Sequence, residues 1–109
     1  MLNTKKLFTK ILERLAASWD LSRGTEIPKN ANLNDYKTFG SYWVSATNAS
    51  TLSNSPTTGT FRLIVMGSSS AASGRIQIAI GVTANTNYPV FFRYYNGSTW
   101  YPWGRMACV

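Results

Sequence analysis

At 109 residues, the chain is long enough for one modest hydrophobic core and short for two domains of ordinary size. Charged residues make up 14% of it, against roughly 25% in an average globular protein, which excludes a charged disordered tail and a charged coiled coil. No stretch approaches the roughly 20 consecutive apolar residues that a transmembrane helix needs, so we expect no membrane span.

The side chains that usually transfer protons or bind metals are scarce. Histidine is absent, and the single cysteine, Cys108, allows neither an internal disulfide nor a multi-cysteine zinc site. The four acidic residues all precede residue 36, so a catalytic carboxylate pair would have to come from that short segment. We therefore expect no enzymatic activity, no catalytic residue, no cofactor and no bound metal.

The formal net charge of +7 raises the possibility of nucleic-acid binding. The only tight cluster of basic residues is Lys5, Lys6 and Lys10, and no lysine follows Lys37. A β-barrel that binds nucleic acid needs basic and aromatic side chains interleaved on one exposed sheet, and no RNP-like or helix-turn-helix motif supports that interpretation. Nucleic acid is therefore the less favoured partner.

Residues 4–19 have apolar side chains at spacings of three and four, which predicts an amphipathic helix with Thr4 as its N-cap. A lone helix of this length is barely stable in water, so its apolar stripe must be covered. Three interpretations remain open: a short coiled-coil stub between copies, which we favour, docking on the chain's own sheet, and a helix lying on a membrane surface. The candidate interface residues on the stripe are Phe8, Ile11, Leu12, Leu15 and Trp19. Charged residues interrupt the segment, so we expect no signal peptide.

Residues 24–38 form a linker in which Leu33 and Tyr36 are the expected anchors. From residue 39 onward the spacing of apolar residues changes from the helical pattern to alternation, which is typical of strands. Strands are predicted over residues 40–45, 60–66, 75–82, 90–96 and 99–106. Asn96-Gly97 predicts a two-residue type I′ hairpin between the last two strands. The sequence therefore predicts a mainly β protein, with a helix in residues 1–23, a linker over 24–38, and a small antiparallel meander, sandwich or open barrel over 39–109.

The alternation also predicts which side chains face the core. The expected inward residues of the last two long strands are Ile76, Ile78, Ile80, Val82, Phe92 and Tyr94, which leaves Gln77, Ala79, Phe91, Arg93 and Tyr95 outside. Ile64 and Met66 also point outward, and we expect a neighbouring subunit to cover that part of the sheet.

Four arginines, each on a different predicted strand, are expected to face solvent among polar and aromatic residues. They are Arg62, Arg75, Arg93 and Arg105. This arrangement either keeps the sheet soluble or binds carboxylates, phosphates and sugar rings. The candidate ligand-binding residues are Arg62, Arg75, Gln77, Arg93, Tyr95 and Trp103. Trp43, Trp100 and Trp103 could stack on sugars, although core packing is the commoner role of such residues.

Three ordered motifs run through residues 31–106. The first is Leu33-Asn34-Asp35-Tyr36 followed by Gly40-Ser41-Tyr42-Trp43-Val44, and the second is Asn54-Ser55-Pro56 followed by Phe61-Arg62-Leu63-Ile64-Val65. The third runs from Phe92-Arg93-Tyr94-Tyr95-Asn96-Gly97 to Trp100-Tyr101-Pro102-Trp103. Together they resemble the small knob domains at the tips of bacteriophage tail fibres and related pyocin-type particles.

This resemblance implies a virion or prophage tail protein, commonly a trimer, whose tip binds a host-surface glycan or an anionic cell-wall polymer. The N-terminal helix is then expected to join another tail-fibre or baseplate protein, and the chain to be made in the host cytoplasm. Repeated shallow sites on a homo-oligomer would gain avidity for repeated surface glycans. The alternative from another class is a purely structural tail or baseplate component that has no ligand of its own.

Overall fold

The computed structural model describes residues 3–19, 24–68, 73–82 and 89–106, with the side chains of residues 14–19 excepted. The expected mainly β architecture with one main helix at the N-terminus is confirmed. The elements in chain order are helix α1 (Thr4–Trp19), β1 (Thr25–Glu26), a 3₁₀ turn (Leu33–Asp35), β2 (Gly40–Trp43), helix α2 (Ala46–Ala49), β3 (Phe61–Gly67), β4 (Arg75–Gly81), β5 (Val90–Tyr95) and β6 (Gly104–Arg105). Neither described helix has the length and apolar character that crossing a bilayer requires.

The described strands form one six-stranded sheet in sequence order, so the expected meander is confirmed. Every neighbouring pair from β2 to β6 is antiparallel, whereas the short β1 lies parallel to β2. The longest ladder joins β3 and β4 and places Ile64 opposite Ile78 and Val65 opposite Gln77. This register decides which side chains share a face, because directly opposite residues point to the same side.

The connection after β5 differs from the expected two-residue hairpin. A type I′ turn needs positive φ at both central residues, but only Gly97 has one, at 103°. Tyr95 instead bridges Trp100 across a four-residue loop, in which the Asn96 side-chain oxygen accepts hydrogen bonds from the backbone N–H groups of Ser98 and Thr99. The predicted last strand shrinks to Gly104–Arg105 and the isolated bridge, as expected for a segment that contains Pro102.

The hydrophobic core lies between one face of the sheet and the irregular segments that follow β1 and β2. The buried side chains from these segments are Ile27, Leu33, Val44 and Ala49, and those from the strands are Phe61, Leu63, Val65 and Ala79. Leu33 is fully buried and Tyr36 packs against the core, which confirms both as anchors. We call this side of the sheet the covered face.

The predicted faces of β4 and β5 are wrong. Gln77 and Ala79 are fully buried on the covered face and Arg93 is 6% exposed, whereas Ile80, Val82, Phe92 and Tyr94 are exposed. Ile76 and Ile78 share the outer side with them and are half-buried. The reason is chemical, because the 3₁₀ turn presents backbone carbonyls to β4 and an amide side chain can satisfy them where an isoleucine could not.

The other side of the sheet, which we call the open face, is apolar over most of β3, β4 and β5. Its side chains form two rows across the strands, namely Ile64, Ile78 and Phe92, and Met66, Ile76 and Tyr94. The outward placement predicted for Ile64 and Met66 is confirmed, with Met66 39% exposed and Ile64 half-buried. Contiguous apolar surface of this kind usually marks an interaction site.

The N-cap of helix α1 is Asn3, one residue before the predicted Thr4. The Asn3 side-chain oxygen, rather than that of Thr4, accepts a 2.8 Å hydrogen bond from the Lys6 N–H, as an N-cap does. Leu7, Phe8, Ile11 and Leu12 are between 47% and 61% exposed, so docking of the helix on its own sheet is wrong for this part of the stripe. The side chains of Leu15 and Trp19 lie outside the described part of the chain, as does Cys108.

Candidate functional site

Arg93 is the centre of a buried polar cluster on the covered face. Its Nε donates to Oε1 of Gln77 at 2.8 Å, and its Nη1 donates to Oδ1 of Asn34 at 2.8 Å. The Nε2 of Gln77 donates in turn to the carbonyl oxygens of Leu33 and Tyr36, both at 2.8 Å. The cluster therefore fastens the 3₁₀ turn to β4 and β5.

Two indole rings lie against the guanidinium group of Arg93. Its Cζ is 4.0 Å from the ring centroid of Trp100 and 4.6 Å from that of Trp103. Each indole N–H is bound to a backbone carbonyl: Trp100 donates to the oxygen of Asn34 at 3.1 Å, and Trp103 to that of Asn54 at 2.8 Å. Cation–π contact and these hydrogen bonds fix both rings in place.

The charge of Arg93 has no carboxylate partner among the described residues, and its Nη2 is buried without a hydrogen-bond acceptor. Burial lowers the pKa of Arg93 to about 10, so the group is still a cation at neutral pH. On the same side, burial raises the pKa of Tyr36, with smaller contributions from Tyr42 and Asp35, and burial raises that of Tyr42.

A cleft of about 250 Å³ opens beside this cluster. It is lined by Asn34, Asn54, Ser55, Arg93, Trp100, Tyr101, Pro102 and Trp103. Aromatic walls with a few side-chain amides and one cation suit a polar ligand that also has a flat apolar face, such as a sugar ring. No three side chains of the metal-binding types come together in the described ranges of the chain.

Two loops hold one wall of the cleft. Asn32 caps the 3₁₀ turn by accepting from the Asn34 N–H at 2.9 Å, and the same Oδ1 accepts from Nδ2 of Asn54 at 2.9 Å. Backbone hydrogen bonds from Leu33 to Ser53 and from Ser53 to Ala31 join the same two loops. Asn54 adopts a left-handed conformation, with a φ of 56°, which turns its carbonyl toward Trp103.

Five of the six predicted ligand-binding residues lie on the covered side, although the sequence had placed them on a solvent-facing surface. Gln77 and Arg93 are buried, and Tyr95 and Trp103 are half-buried. Arg75 lies at the edge of this side, where its Nε donates to the carbonyl of Lys37 at 2.7 Å.

Arg62 does not join them. It lies on the open face, opposite Trp43 and Ile80 in the ladders, and its Nη2 donates to the Ser41 hydroxyl at 3.2 Å. Arg105 shares the covered side and stands 5.9 Å from the ring centroid of Phe91, so the four arginines do not form the single outward face that was expected.

The sequence did not identify the amides of Asn34 and Asn54 as cleft residues. Tyr101 also lines the cleft, but its ring stacks on that of Tyr94 on the open face, with 6.1 Å between the centroids. The sequence identifies Trp100 as a possible stacking residue but does not place it in the site. The signals were present in the motifs, since Asn34 and Asn54 stand in the first two and the aromatic residues in the third.

The structure is similar to solved pyocin tail fibres. An N-truncated R2-type pyocin tail fibre aligns with a TM-score of 0.64 at 26% identity, over 74% of this chain and 31% of the fibre. The R2 pyocin fibre of P. aeruginosa aligns with a TM-score of 0.62 at 25% identity, over 74% of this chain and 21% of that one. The P. aeruginosa R1 fibre, at 24% identity and a TM-score of 0.61 over 74% of this chain and 20% of the fibre, shares the fold.

No family model matches the sequence, and no curated protein does. This chain spans between a fifth and a third of the length of the fibres that it resembles. The chain therefore contains a phage tail-fibre-like domain.

Proposed function

We propose that this chain is a structural component of a phage or prophage tail fibre, located in the virion tail, and that its cleft attaches the particle to a glycan or cell-wall polymer of the host. The observation that carries the proposal is the cleft, in which the indoles of Trp100 and Trp103 lie beside the amides of Asn34 and Asn54. The likeness to pyocin tail fibres supports the structural part of the role.

The cleft would bind a sugar through two kinds of contact. The apolar face of a pyranose ring stacks on an aromatic side chain, and its hydroxyl groups exchange hydrogen bonds with side-chain amides. The rings of Trp100 and Trp103 are already held by hydrogen bonds to backbone carbonyls, so little side-chain entropy is lost when a ligand arrives.

Attachment through a shallow cleft needs several copies, because one such site binds weakly. We propose a homo-oligomer, with a trimer favoured, that covers the apolar stripe of α1 and the open face of the sheet. The interface candidates are Phe8, Ile11, Leu12, Leu15, Trp19, Ile64 and Met66. The exposure of Leu7, Phe8 and Met66 in the single chain supports this arrangement. The N-terminal helix would also join another fibre or baseplate protein.

The alternative is a tail component that has no ligand of its own. The observation that favours it is that Arg93, Trp100 and Trp103 satisfy one another within the chain, as residues that only close a fold would do.

A glycan array probed with the oligomer distinguishes the two functions. Trp103 is the residue to vary, since it lines the cleft, lies against Arg93 and is half-buried. Trp103→Ala should weaken glycan binding by roughly two- to tenfold, the usual worth of one aromatic contact. Trp103→Phe also loses the hydrogen bond to Asn54 but keeps an aromatic ring, so it is the matched control, and circular dichroism checks that both variants are folded. If the wild-type oligomer binds no glycan on the array and no host-surface extract, the structural alternative is correct.

A further inference from the structure

We propose that the cleft continues into a row of cations and aromatic rings and that this row binds the charged groups of an anionic polysaccharide. The row consists of Arg93, Trp100, Tyr95, Lys37, Arg75 and Phe39, and we call it the cation–aromatic row. The inference rests on the proposed attachment function, because it names the chemical class of the polymer that the cleft would take.

The first half of the row leads away from the buried cluster. The Arg93 guanidinium lies 4.0 Å from the centroid of Trp100, and that indole lies 4.8 Å from the ring centroid of Tyr95 at an interplanar angle of 37°. Tyr95 follows Arg93 by two positions on β5 and therefore lies on the same side of the sheet.

The second half of the row reaches the surface. The Nζ of Lys37 stands 4.5 Å from the centroid of Tyr95, and the carbonyl of the same lysine accepts the hydrogen bond from Nε of Arg75. The Cζ of Arg75 is in turn 4.6 Å from the ring centroid of Phe39. Each cation thus lies against an aromatic ring over the whole length of the row.

The row has a buried end at Arg93 and an exposed end at Phe39, and Arg75, next to Phe39, is half-buried. Arg93 is 6% exposed, Trp100 and Tyr95 are half-buried, Lys37 is exposed and Phe39 is 62% exposed. A ligand that enters the cleft would therefore find ring surface near the buried charge and an accessible ammonium group further along.

The charge of this region is mainly positive. After Asp35 the chain contains five basic residues (one lysine and four arginines) and no acidic residue. Asp35 itself is exposed on the 3₁₀ turn, and its backbone carbonyl accepts from the Lys37 N–H at 3.1 Å. Cations beside low-dielectric aromatic walls create a positive electrostatic potential that attracts anions. A neutral sugar would gain little from this potential, whereas an anionic sugar would bind more tightly.

An anionic polysaccharide matches the row chemically, because its sugar rings can contact the aromatic side chains and its negative charges can contact the cations. A single-stranded nucleic acid also combines rings with charge, but strong binding there depends on many phosphate contacts, and the row has only three cations. The amides of Asn34 and Asn54 in the adjoining cleft suit hydroxyl groups. The observations therefore favour the polysaccharide.

The inference is tested with a polymer whose charge can be removed without changing its backbone. Polygalacturonate has a carboxylate on every sugar, and its methyl ester is the neutral counterpart. A poly(glycerol phosphate) chain tests phosphate as the source of the anion, and a poly-dT strand tests nucleic acid. Binding of each to the wild-type protein is measured by titration calorimetry at two salt concentrations.

Lys37→Gln is the informative variant, because this side chain is exposed and its loss leaves the core intact. We expect it to weaken binding of the anionic polymer by up to about fivefold at low salt and to leave binding of the methyl ester unchanged. Lys29→Gln removes the same charge from another exposed position, and it should change neither.

Tighter binding of either anionic polymer than of the ester, with loss in Lys37→Gln alone, supports the row and identifies carboxylate or phosphate as its anion. Equal binding of acid and ester overturns the row, while a glycan on the array whose binding depends on Trp103 still supports the attachment function. Preferential binding of poly-dT overturns the polysaccharide assignment. Absence of all carbohydrate binding overturns the attachment function together with the row.

Discussion

The Nε of Arg93 donates a 2.8 Å hydrogen bond to Oε1 of Gln77, and both side chains are buried on the covered face of the sheet. The other end of the same amide donates to the carbonyls of Leu33 and Tyr36. One glutamine thus joins β4, β5 and the 3₁₀ turn, and it supplies a neutral oxygen to a buried cation that has no carboxylate partner among the described residues.

Replacement of Gln77 by methionine should therefore cost much more stability than its volume suggests. Gln77→Met leaves the carbonyl of Tyr36 and the Nε of Arg93 without hydrogen-bond partners, while the carbonyl of Leu33 keeps only the N–H of Tyr36. Each buried unsatisfied group costs about 1–3 kcal/mol. We expect the free energy of unfolding to fall by about 3 kcal/mol, measured by urea denaturation at one protein concentration.

The matched control for this prediction is the next residue along β4. Ile78→Met changes a half-buried side chain on the open face and should cost less than about 1.5 kcal/mol. Equal losses in the two variants would show that the amide does not hold the three elements together.

The sequence could predict the helix, the meander and the approximate strands, because each depends on local periodicity. It could not predict which face of β4 is covered. Alternation determines that Ile76, Ile78 and Ile80 share a side, but the side that is buried depends on what packs against it. Here the 3₁₀ turn packs on β4 and presents carbonyl groups to it, so the side of β4 that carries Gln77 and the small Ala79 is the buried one.

The candidate site shows the same limit. Alternation predicts Arg93 at the surface, because it assigns its neighbours Phe92 and Tyr94 to the core. Its partners are instead an amide 59 positions away and two indoles, contacts that no local pattern reveals. The motifs that resemble tail-fibre knobs did contain the residues of the cleft, since they preserve the order of loops that the fold brings together.

Asn54 provides a test of the loop that forms one wall of the cleft. Its φ of 56° is readily adopted by glycine, whereas a residue that has a Cβ and makes no local side-chain hydrogen bond is strained there. Both Asn54→Gly and Asn54→Ala lose the hydrogen bond to Asn32, but only alanine adds strain. We expect the alanine variant to be less stable than the glycine variant by about 1 kcal/mol in thermal denaturation.

Asn48 is the control, because it lies in helix α2. There the order should reverse, with Asn48→Gly less stable than Asn48→Ala, since glycine costs conformational entropy in a helix. The same order at both positions would contradict the role assigned to the left-handed conformation of Asn54.

Two half-buried tyrosines predict how stability depends on alkaline pH. Burial raises the pKa values of Tyr36 and Tyr42, so between the unfolded and folded pKa values the unfolded chain holds fewer protons than the folded one. Their contribution is complete below pH 10 and is lost as the pH rises above it. Arg93 has the opposite sign, because its lowered pKa makes the unfolded chain hold more protons above pH 10.

Tyr42→Phe separates these contributions. The variant loses the hydroxyl that donates to the carbonyl of Thr38 at 2.7 Å, and it also loses one of the two groups whose ionisation destabilises the fold. We expect its free energy of unfolding to fall less steeply with pH above 10 than that of the wild type. Urea denaturation across this range measures both slopes, and parallel curves would argue against a raised pKa for Tyr42.

The open face leads to a prediction about self-association. Ile64 lies opposite Ile78, which lies opposite Phe92, so a lysine at position 64 would place a charge in the middle of the apolar surface. If copies of the chain pack through this face, Ile64→Lys buries an unpaired charge in each contact and should raise the dissociation constant by at least about a hundredfold. Thr47→Lys adds the same charge at an exposed position on α2 and should leave the constant unchanged.

Light scattering gives the masses, and circular dichroism checks that each variant is folded. Because α1 has its own exposed stripe, the measurement is repeated without residues 1–20. A wild-type protein that is monomeric with and without those residues would contradict self-association, and an unchanged mass for Ile64→Lys would assign the contact to the helix alone.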